Sequence, residues 1–452
     1  MSRTTCDRGV YAQGTPTQPV QIEPIGQWEE VINIGSPKIP LLLVGDLPDW
    51  QAFFKNNEPR IQPLGGIFKW SQPFRRDNPI HDLLSIESKI ATPAEVEAAY
   101  KTVNQILQLT RQHLKQSPLT PQQKLRLVYT LIRSIGMEFK DSGQHLFTQD
   151  VKKKELDCDT SSFIVLAVAH EMGWPVHLVR APGHIFVRWD DDKGTRFNID
   201  FGKITSDDDY YREFSLSPQA VGQGVYLKNL SQQRLHSVFL VNRGNAKAAL
   251  GNRRGAIDDY TAALKLNPKD AAAYINRGIA KTALGDYQGA IEDCTAALKF
   301  DPNLADAYNN RGFVKTALGD HRGAIEEYTA ALKFNPKFAD AYYNRGLAKA
   351  YLGDYRGAIV DFTAALKFNP NLANAHNNRG LAKAYLKDYR GAIMDFTAAI
   401  KLNPKFADAY YNRGVAKERL GDLLEAANDF TVAKKLDPKK YGPSYSNPKG
   451  VK

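Results

Sequence analysis

Apolar positions along this chain follow three successive patterns. Before about residue 175 they recur at helical spacing. Two helices open with the same signal: Thr92-Pro93-Ala94-Glu95 and Thr120-Pro121-Gln122-Gln123 each place a Thr cap before a Pro, with Glu or Gln three residues after the cap. The second is predicted to run to about Ile135, with Leu125, Leu127, Val128, Leu131 and Ile132 on its buried side. Phe163, Ile164, Ala167, Val168 and Met172 predict a third helix, capped by Asp157, starting at Asp157 or Cys158 and stopping at Gly173. The pattern then shortens. His184–Trp189 and Thr195–Asp200 read as strands joined by the polar hairpin Asp190–Gly194. From Ser237 a period of 34 takes over: Asn-Arg-Gly recurs at Asn242, Asn276, Asn310, Asn344, Asn378 and Asn412, and Pro268, Pro302, Pro336, Pro370, Pro404 and Pro438 close the units.

The stretch Leu156–Asp200 holds the candidate chemistry. Cys158 falls in the first turn of its helix, where the positive end of the dipole favours a thiolate. A five-residue hairpin loop centred on Asp192 pairs Trp189 with Thr195. Counting back from there sets His184 opposite Asp200, with Cβ atoms about 5 Å apart. A Cys at a helix start, with a His oriented by a carboxylate, is the arrangement of a nucleophile with its base and orienter.

This order, with the Gly173-Trp174-Pro175 break and Pro182-Gly183-His184, resembles the transglutaminase-like superfamily over about Leu119 to Asp200. The resemblance implies an α+β, papain-like domain carrying a Cys-His-Asp triad: Cys158 as nucleophile, His184 as base, Asp200 as orienter. Asn198, two residues earlier on the same face, is the alternative third member. His145, in a polar loop that could line a cleft, competes for the histidine role, but no acid is placed to orient it. Lys152-Lys153-Lys154 reads as a solvated loop, and Asp207-Asp208-Asp209 as a capped turn rather than a calcium site.

The 34-residue units resemble the tetratricopeptide repeat. In the unit 271–304 the signature places are Gly278, Ala290, Pro302 and, where an aromatic is the rule, Cys294. Cys294 is therefore expected in the core. The resemblance implies six helical hairpins stacked as an all-α solenoid, binding proteins or peptides on its concave face. The sixth place is Asn in every unit, giving a ladder of Asn242, Asn276, Asn310, Asn344, Asn378 and Asn412. Such a ladder is suited either to gripping a peptide backbone or to fixing helix packing. Tyr343, Tyr351, Tyr385 and Tyr411 are candidate aromatic contacts on that surface. Arg at the seventh place, Lys at the eleventh and an acid at the twenty-third predict an ion pair between the two helices of each unit.

The division expected is a disordered tail at residues 1–25, a transglutaminase-like domain at 26–215 with strands and loops over 26–90, a linker at 216–236, six repeats at 237–440 and a disordered tail at 441–452. The formal charge of +11 lies wholly on residues 237–452, with 33 basic and 22 acidic residues. This favours acidic protein partners. No nucleic-acid motif is present, and no apolar run approaches the ~20 residues of a membrane span, Ile39–Val44 being far shorter. The first twenty residues lack the apolar core of a secretory signal. Three cysteines, Cys6 among them, show neither disulfide-framework nor metal-ligand spacing, so a reducing cytoplasm is expected, with no metal and no cofactor. Two functions compete: a cysteine-dependent amide hydrolase or acyltransferase whose repeats recruit protein substrates, and an interaction scaffold whose N-terminal domain is inactive.

Overall fold

The computed structural model describes residues 74–441, except 76, 116–117, 140–145, 183 and 215. His145, Cys6, both tails and most of the segment 26–90 lie outside the described residues. The part of that segment that is described contains a helix, α1 (Pro79–Glu87), capped by Asn78.

Both capping boxes form as the sequence predicts. Thr92 opens α2 (Pro93–Leu114) and Thr120 opens α3 (Pro121–Ser134), each with reciprocal side-chain and backbone bonds. After the two-residue strand β1 (Glu138–Phe139) come α4 (Phe147–Lys153) and β2 (Glu155–Leu156), which pairs parallel with β1. Lys152 and Lys153 therefore lie in a short helix rather than a solvated loop, and Lys152 Nζ reaches Glu95 at 3.0 Å. Helix α5 (Cys158–Glu171) is the hub. It has no polar face: eleven consecutive residues, Cys158 and Thr160–Ala169 among them except Asp159, are buried. It is enclosed by α1, α2 and α3 on one side and by the sheet on the other.

That sheet is antiparallel, in the order β3 (Val176–Ala181), β4 (His184–Asp190), β5 (Arg196–Asp200), β6 (Lys203–Thr205). Helices α6 (Asp207–Phe214) and α7 (Pro218–Gly222) follow. Asp207–Asp209 begin a helix, as expected, with Ser206 and Asp209 capping each other. The stretch 216–236 is not a free linker: Leu216, Ala220, Tyr226 and Leu227 are buried against β3 and β4.

The array then runs as six helix pairs: α8 (Gln232–Ala249) with α9 (Arg253–Leu266), α10 (Ala271–Ala283) with α11 (Tyr287–Phe300), α12 (Ala305–Ala317) with α13 (His321–Phe334), α14 (Ala339–Tyr351) with α15 (Tyr355–Phe368), α16 (Ala373–Tyr385) with α17 (Tyr389–Leu402), and α18 (Ala407–Leu420) with α19 (Leu423–Leu436). A last turn, α20 (Pro438–Tyr441), closes it. The array and the N-terminal region share one apolar core. Leu235, Val238 and Phe239 of α8 pack among residues of α1, α2 and α5, with the Phe239 ring edge-on to Phe163 at 4.9 Å. Among the described residues no helix is long and apolar enough to cross a membrane.

Within each unit the Gly at the eighth place lets the two helices close on the aromatic at the twenty-fourth. A Cβ at Gly346 would sit 2.8 Å from the Phe362 ring, and one at Gly244 2.6 Å from Tyr260. The second unit differs because Cys294, buried as expected, is smaller than a ring, and the nearest atoms to a Cβ at Gly278 are 3.4 Å away. Ala has a higher helix propensity than Gly by about 1 kcal/mol, whereas overpacking costs roughly 1–3 kcal/mol. Gly278→Ala should therefore leave the urea midpoint unchanged or raise it, and Gly346→Ala should lower it. Adding Cys294→Phe should turn Gly278→Ala into a destabilising change.

Candidate functional site

Asp157 caps α5 by accepting from the Thr160 N–H at 2.8 Å, which fixes Cys158 as the first helical residue. Burial, with the charges of Asp159 and Asp150, pushes the Asp157 carboxyl well above its usual range. Cys158 is 4% exposed, and its Sγ lies 3.4 Å from Asp159 Oδ1. One turn on, Ser162 Oγ reaches the Ile185 carbonyl at 3.5 Å, so the start of α5 is laid against β4 beside His184.

His184 Nε2 lies 3.0 Å from Asp200 Oδ2. The strand register that brings them together differs from the expected one. Asp191 folds the turn from within, accepting from Lys193 N and Thr195 N, so the first pair across the hairpin is Asp190 with Arg196. Trp189 consequently pairs with Phe197 instead of Thr195, and His184 is not directly opposite Asp200. The shift is two residues, which preserves the face, and a diagonal pair remains within reach of these side chains. The chain turns sharply after Asp200, with positive φ at Phe201 (46°) and Gly202 (85°). Arg133 of α3 holds that turn by donating to the Phe201 carbonyl at 3.3 Å. His184 is 6% exposed, and its ring stacks against Phe214 at 5.9 Å and Phe186 at 6.1 Å.

Asn198 does not serve as the alternative third member. Its Oδ1 accepts from Arg188 Nε at 2.8 Å and its Nδ2 donates to Asp207 at 2.8 Å. Arg188, fully buried, also donates to Asp207, to the Leu227 carbonyl and to Asn229. Asn198 belongs to that structural network. Sequence reading passed over Tyr129, on the buried face of α3 between Val128 and Leu131. Burial raises its phenol, and the charges of Asp200 and Cys158 raise it further, so it borders both groups. Its place one helical turn after Leu125 was the available signal.

Glu87, at the end of α1, supports the site from below. Its buried carboxyl accepts from Phe147 N (2.7 Å) and Thr148 N (2.9 Å) at the start of α4, and Asp150 of α4 in turn accepts from Thr160 on α5 at 2.7 Å.

The array meets the site at its first unit. Asn242 Nδ2 donates to Asp159 Oδ2 at 3.1 Å, next to Cys158. Arg180 of β3 pairs with Asp270, the cap of α10, at 2.5 Å. The ion pairing expected between helices is present in all six units and is a triad. Arg243, Arg277, Arg311, Arg345, Arg379 and Arg413 each donate to an acid at 2.5–2.8 Å (Asp259, Asp293, Glu327, Asp361, Asp395 and Asp429), and Lys247, Lys281, Lys315, Lys349, Lys383 and Lys417 approach the same acids at 2.8–2.9 Å. From the second unit on, the Arg Nη1 also donates to a Thr of the preceding unit, as Arg345 does to Thr329 at 3.1 Å. In the first unit Arg243 Nη1 donates instead to the Ile86 carbonyl of α1 at 3.1 Å.

The Asn ladder is not an open row of donors. Asn276, Asn310, Asn378 and Asn412 are buried. Amide groups donate to the preceding unit: Asn276 to Asn245, Asn344 to Asn309, Asn378 to Tyr343 and Asn412 to Asn377. These bonds are the packing use of the ladder. Tyr343 accepts one of them, Tyr351 stacks on His321, Tyr385 on Tyr355 and Tyr411 on Tyr441. The excess positive charge does not make a basic groove either, because twelve Arg and Lys side chains are held in the triads. Among the described residues no cluster of ligand side chains could hold a metal ion.

Tetratricopeptide-repeat family models match residues 241–305, 314–351, 339–372, 384–421 and 407–440. Residues 241–440 are thus tetratricopeptide repeats, and these matches begin at residue 241. Among solved structures, YrrB, described as a tetratricopeptide-repeat protein with an unusual peptide-binding site, is 25% identical with a TM-score of 0.36. That alignment covers 40% of this chain and 93% of YrrB. MamA is 27% identical with a TM-score of 0.34, covering 36% of this chain and 96% of MamA. PilF of Pseudomonas aeruginosa is 18% identical with a TM-score of 0.44, covering 48% of this chain and 100% of that one. A search of curated proteins finds no match to the chain.

Burial pushes the Glu87 carboxyl up from 4.5 to about 7, against the Thr148 and Phe147 N–H groups that pull it down. The unfolded chain releases this proton near 4.5, whereas the folded chain keeps it to about 7. The folded state therefore loses stability as pH rises through that window, by roughly 3 kcal/mol. In Glu87→Gln this contribution should vanish. Urea unfolding at pH 4.5 and pH 7.5 should show the stability of wild type falling relative to the variant.

Proposed function

We propose that the N-terminal region is a transglutaminase-like, papain-like domain, and that it is a cysteine-dependent amide hydrolase or acyltransferase acting on proteins or peptides recruited by the repeats. The observation carrying this reading is the His184–Asp200 pair at 3.0 Å, set on the strand that lies against the helix starting at Cys158. In the reaction, His184 takes the thiol proton and Cys158 Sγ attacks the acyl carbon of an amide. His184 returns the proton to the departing amine, leaving a thioester. Water or a second amine then releases the acyl group and regenerates the thiol. Asp200 keeps the imidazole oriented and stabilises its charged form.

A second reading is favoured by a specific observation: Cys158 and His184 are 4% and 6% exposed, and a carboxylate of Asp159 stands beside the sulfur. Under it the protein is an interaction scaffold with a closed, non-turning-over site.

Alkylation of Cys158 by iodoacetamide as a function of pH separates the two. For the enzyme, Cys158 reacts with a midpoint well below the ordinary thiol value of about 8.5, and His184→Ala abolishes that reactivity while Asp200→Asn raises the midpoint. Inert Cys158, or a midpoint unaffected by His184→Ala, leaves the scaffold.

A further inference from the structure

The second place of each unit lies one helical turn before the Asn of the sixth place, on the same helix face. That second place is acidic in the third, fourth and sixth units only: Asp306, Asp340 and Asp408. In the sixth unit the structure shows what such a group takes. The chain's own final turn, α20, sits there. Lys440 Nζ donates to Asp408 Oδ1 at 3.0 Å, Tyr441 OH donates to the same oxygen at 2.6 Å, and the Tyr441 ring stacks on Tyr411 at 4.7 Å. The fourth unit repeats that surface residue for residue: Phe338–Gly346 reads FADAYYNRG, as does Phe406–Gly414. No chain terminus occupies it.

The groups of the third and fourth units lack what Asp408 has. Burial raises both Asp306 and Asp340, the former to about 6 with a further push from the Asp340 charge, and no cation among the described residues offsets either. Asn310 stands one turn beyond Asp306 and is 6% exposed, yet its Nδ2 has no acceptor among the described residues. The cause is local. Asn344, Asn378 and Asn412 each donate to the fifth place of the preceding unit, but for Asn310 that place is Ile275, which has nothing to accept with.

We propose that the face of the third and fourth units binds an extended peptide segment carrying a Lys or Arg beside an aromatic residue. The cation lies between Asp306 and Asp340, the aromatic ring rests on Tyr343, and a peptide carbonyl accepts from Asn310 Nδ2. The partner is thus basic where it meets the groove, although the array as a whole is positive. This rests on the repeats acting as a partner-binding surface and is independent of any chemistry at Cys158.

The test is fluorescence anisotropy of two labelled peptides titrated with the full chain, Gly-Lys-Tyr-Gly-Lys-Tyr-Gly and its counterpart with Glu in place of Lys. The expected result is saturable binding of the Lys peptide alone. Asp306→Asn with Asp340→Asn should weaken it at least tenfold and Asn310→Ala severalfold, while Asp258→Asn, an exposed acid elsewhere on the array, should have no effect. The double variant should melt at or above the wild-type temperature, since it relieves two buried charges. Binding of the Glu peptide, undiminished in the double variant, would overturn the proposal and leave the array a binding surface for other sequences. Binding of neither peptide would overturn both.

Discussion

One guanidinium seats the repeat array on the rest of the chain. Arg243 donates twice to Asp259, which closes its own helix pair, and once to the Ile86 carbonyl, which ties that pair to α1. Helix α1 is itself bound to the hub helix, since Asn78 donates to the Ala167 carbonyl at 3.0 Å and to Glu171 at 2.9 Å. In every later unit the third Arg bond goes to a Thr of the preceding unit. The N-terminal region thus supplies to the first unit what each unit supplies to the next. This is how an acid beside Cys158 comes to accept from the first Asn of the ladder.

The triads are better understood as register than as stability. Taking an Arg, a Lys and an acid out of water together carries a desolvation cost that offsets most of their attraction. Asp395 shows the balance: burial pushes its carboxyl up, but bonds from His376, Arg379 and Lys383 prevail and hold it below the usual range. The apolar contribution comes from the small-residue and aromatic places between the helices, where Gly346 and Phe362 or Gly380 and Phe396 meet. Charge fixes how the units line up, and packing holds them there.

The array was legible because its period is long and its constraints are local to the unit. Caps, Gly places and ion pairs all repeat, so each reading was checked five more times within the same chain. The hub helix was legible for a different reason: Asp157, Cys158 and Gly173 mark its ends by backbone chemistry alone. What sequence could not fix was anything decided by a side chain acting across a turn. Asp191 tightened the hairpin and moved the register by two. Arg188 claimed Asn198, and Ile275 left Asn310 without the neighbour its counterparts have. None of these follows from periodicity, since each depends on which of several polar groups is nearer in space. The ladder misled for the same reason. A row of identical amides looks like a surface until the stacking of units shows that each amide reaches back to the one before.

The continuous core has a consequence for how this protein can be divided. Phe239 fills a place beside Phe163, and Leu235 and Val238 complete the same apolar layer. A chain cut near residue 236 would present that layer to water on both fragments. Such newly bared surfaces favour association over folding. The two halves are distinct in pattern and ancestry of motif, yet neither is a detachable module: recombining this N-terminal region with another solenoid would require carrying α8 along with it.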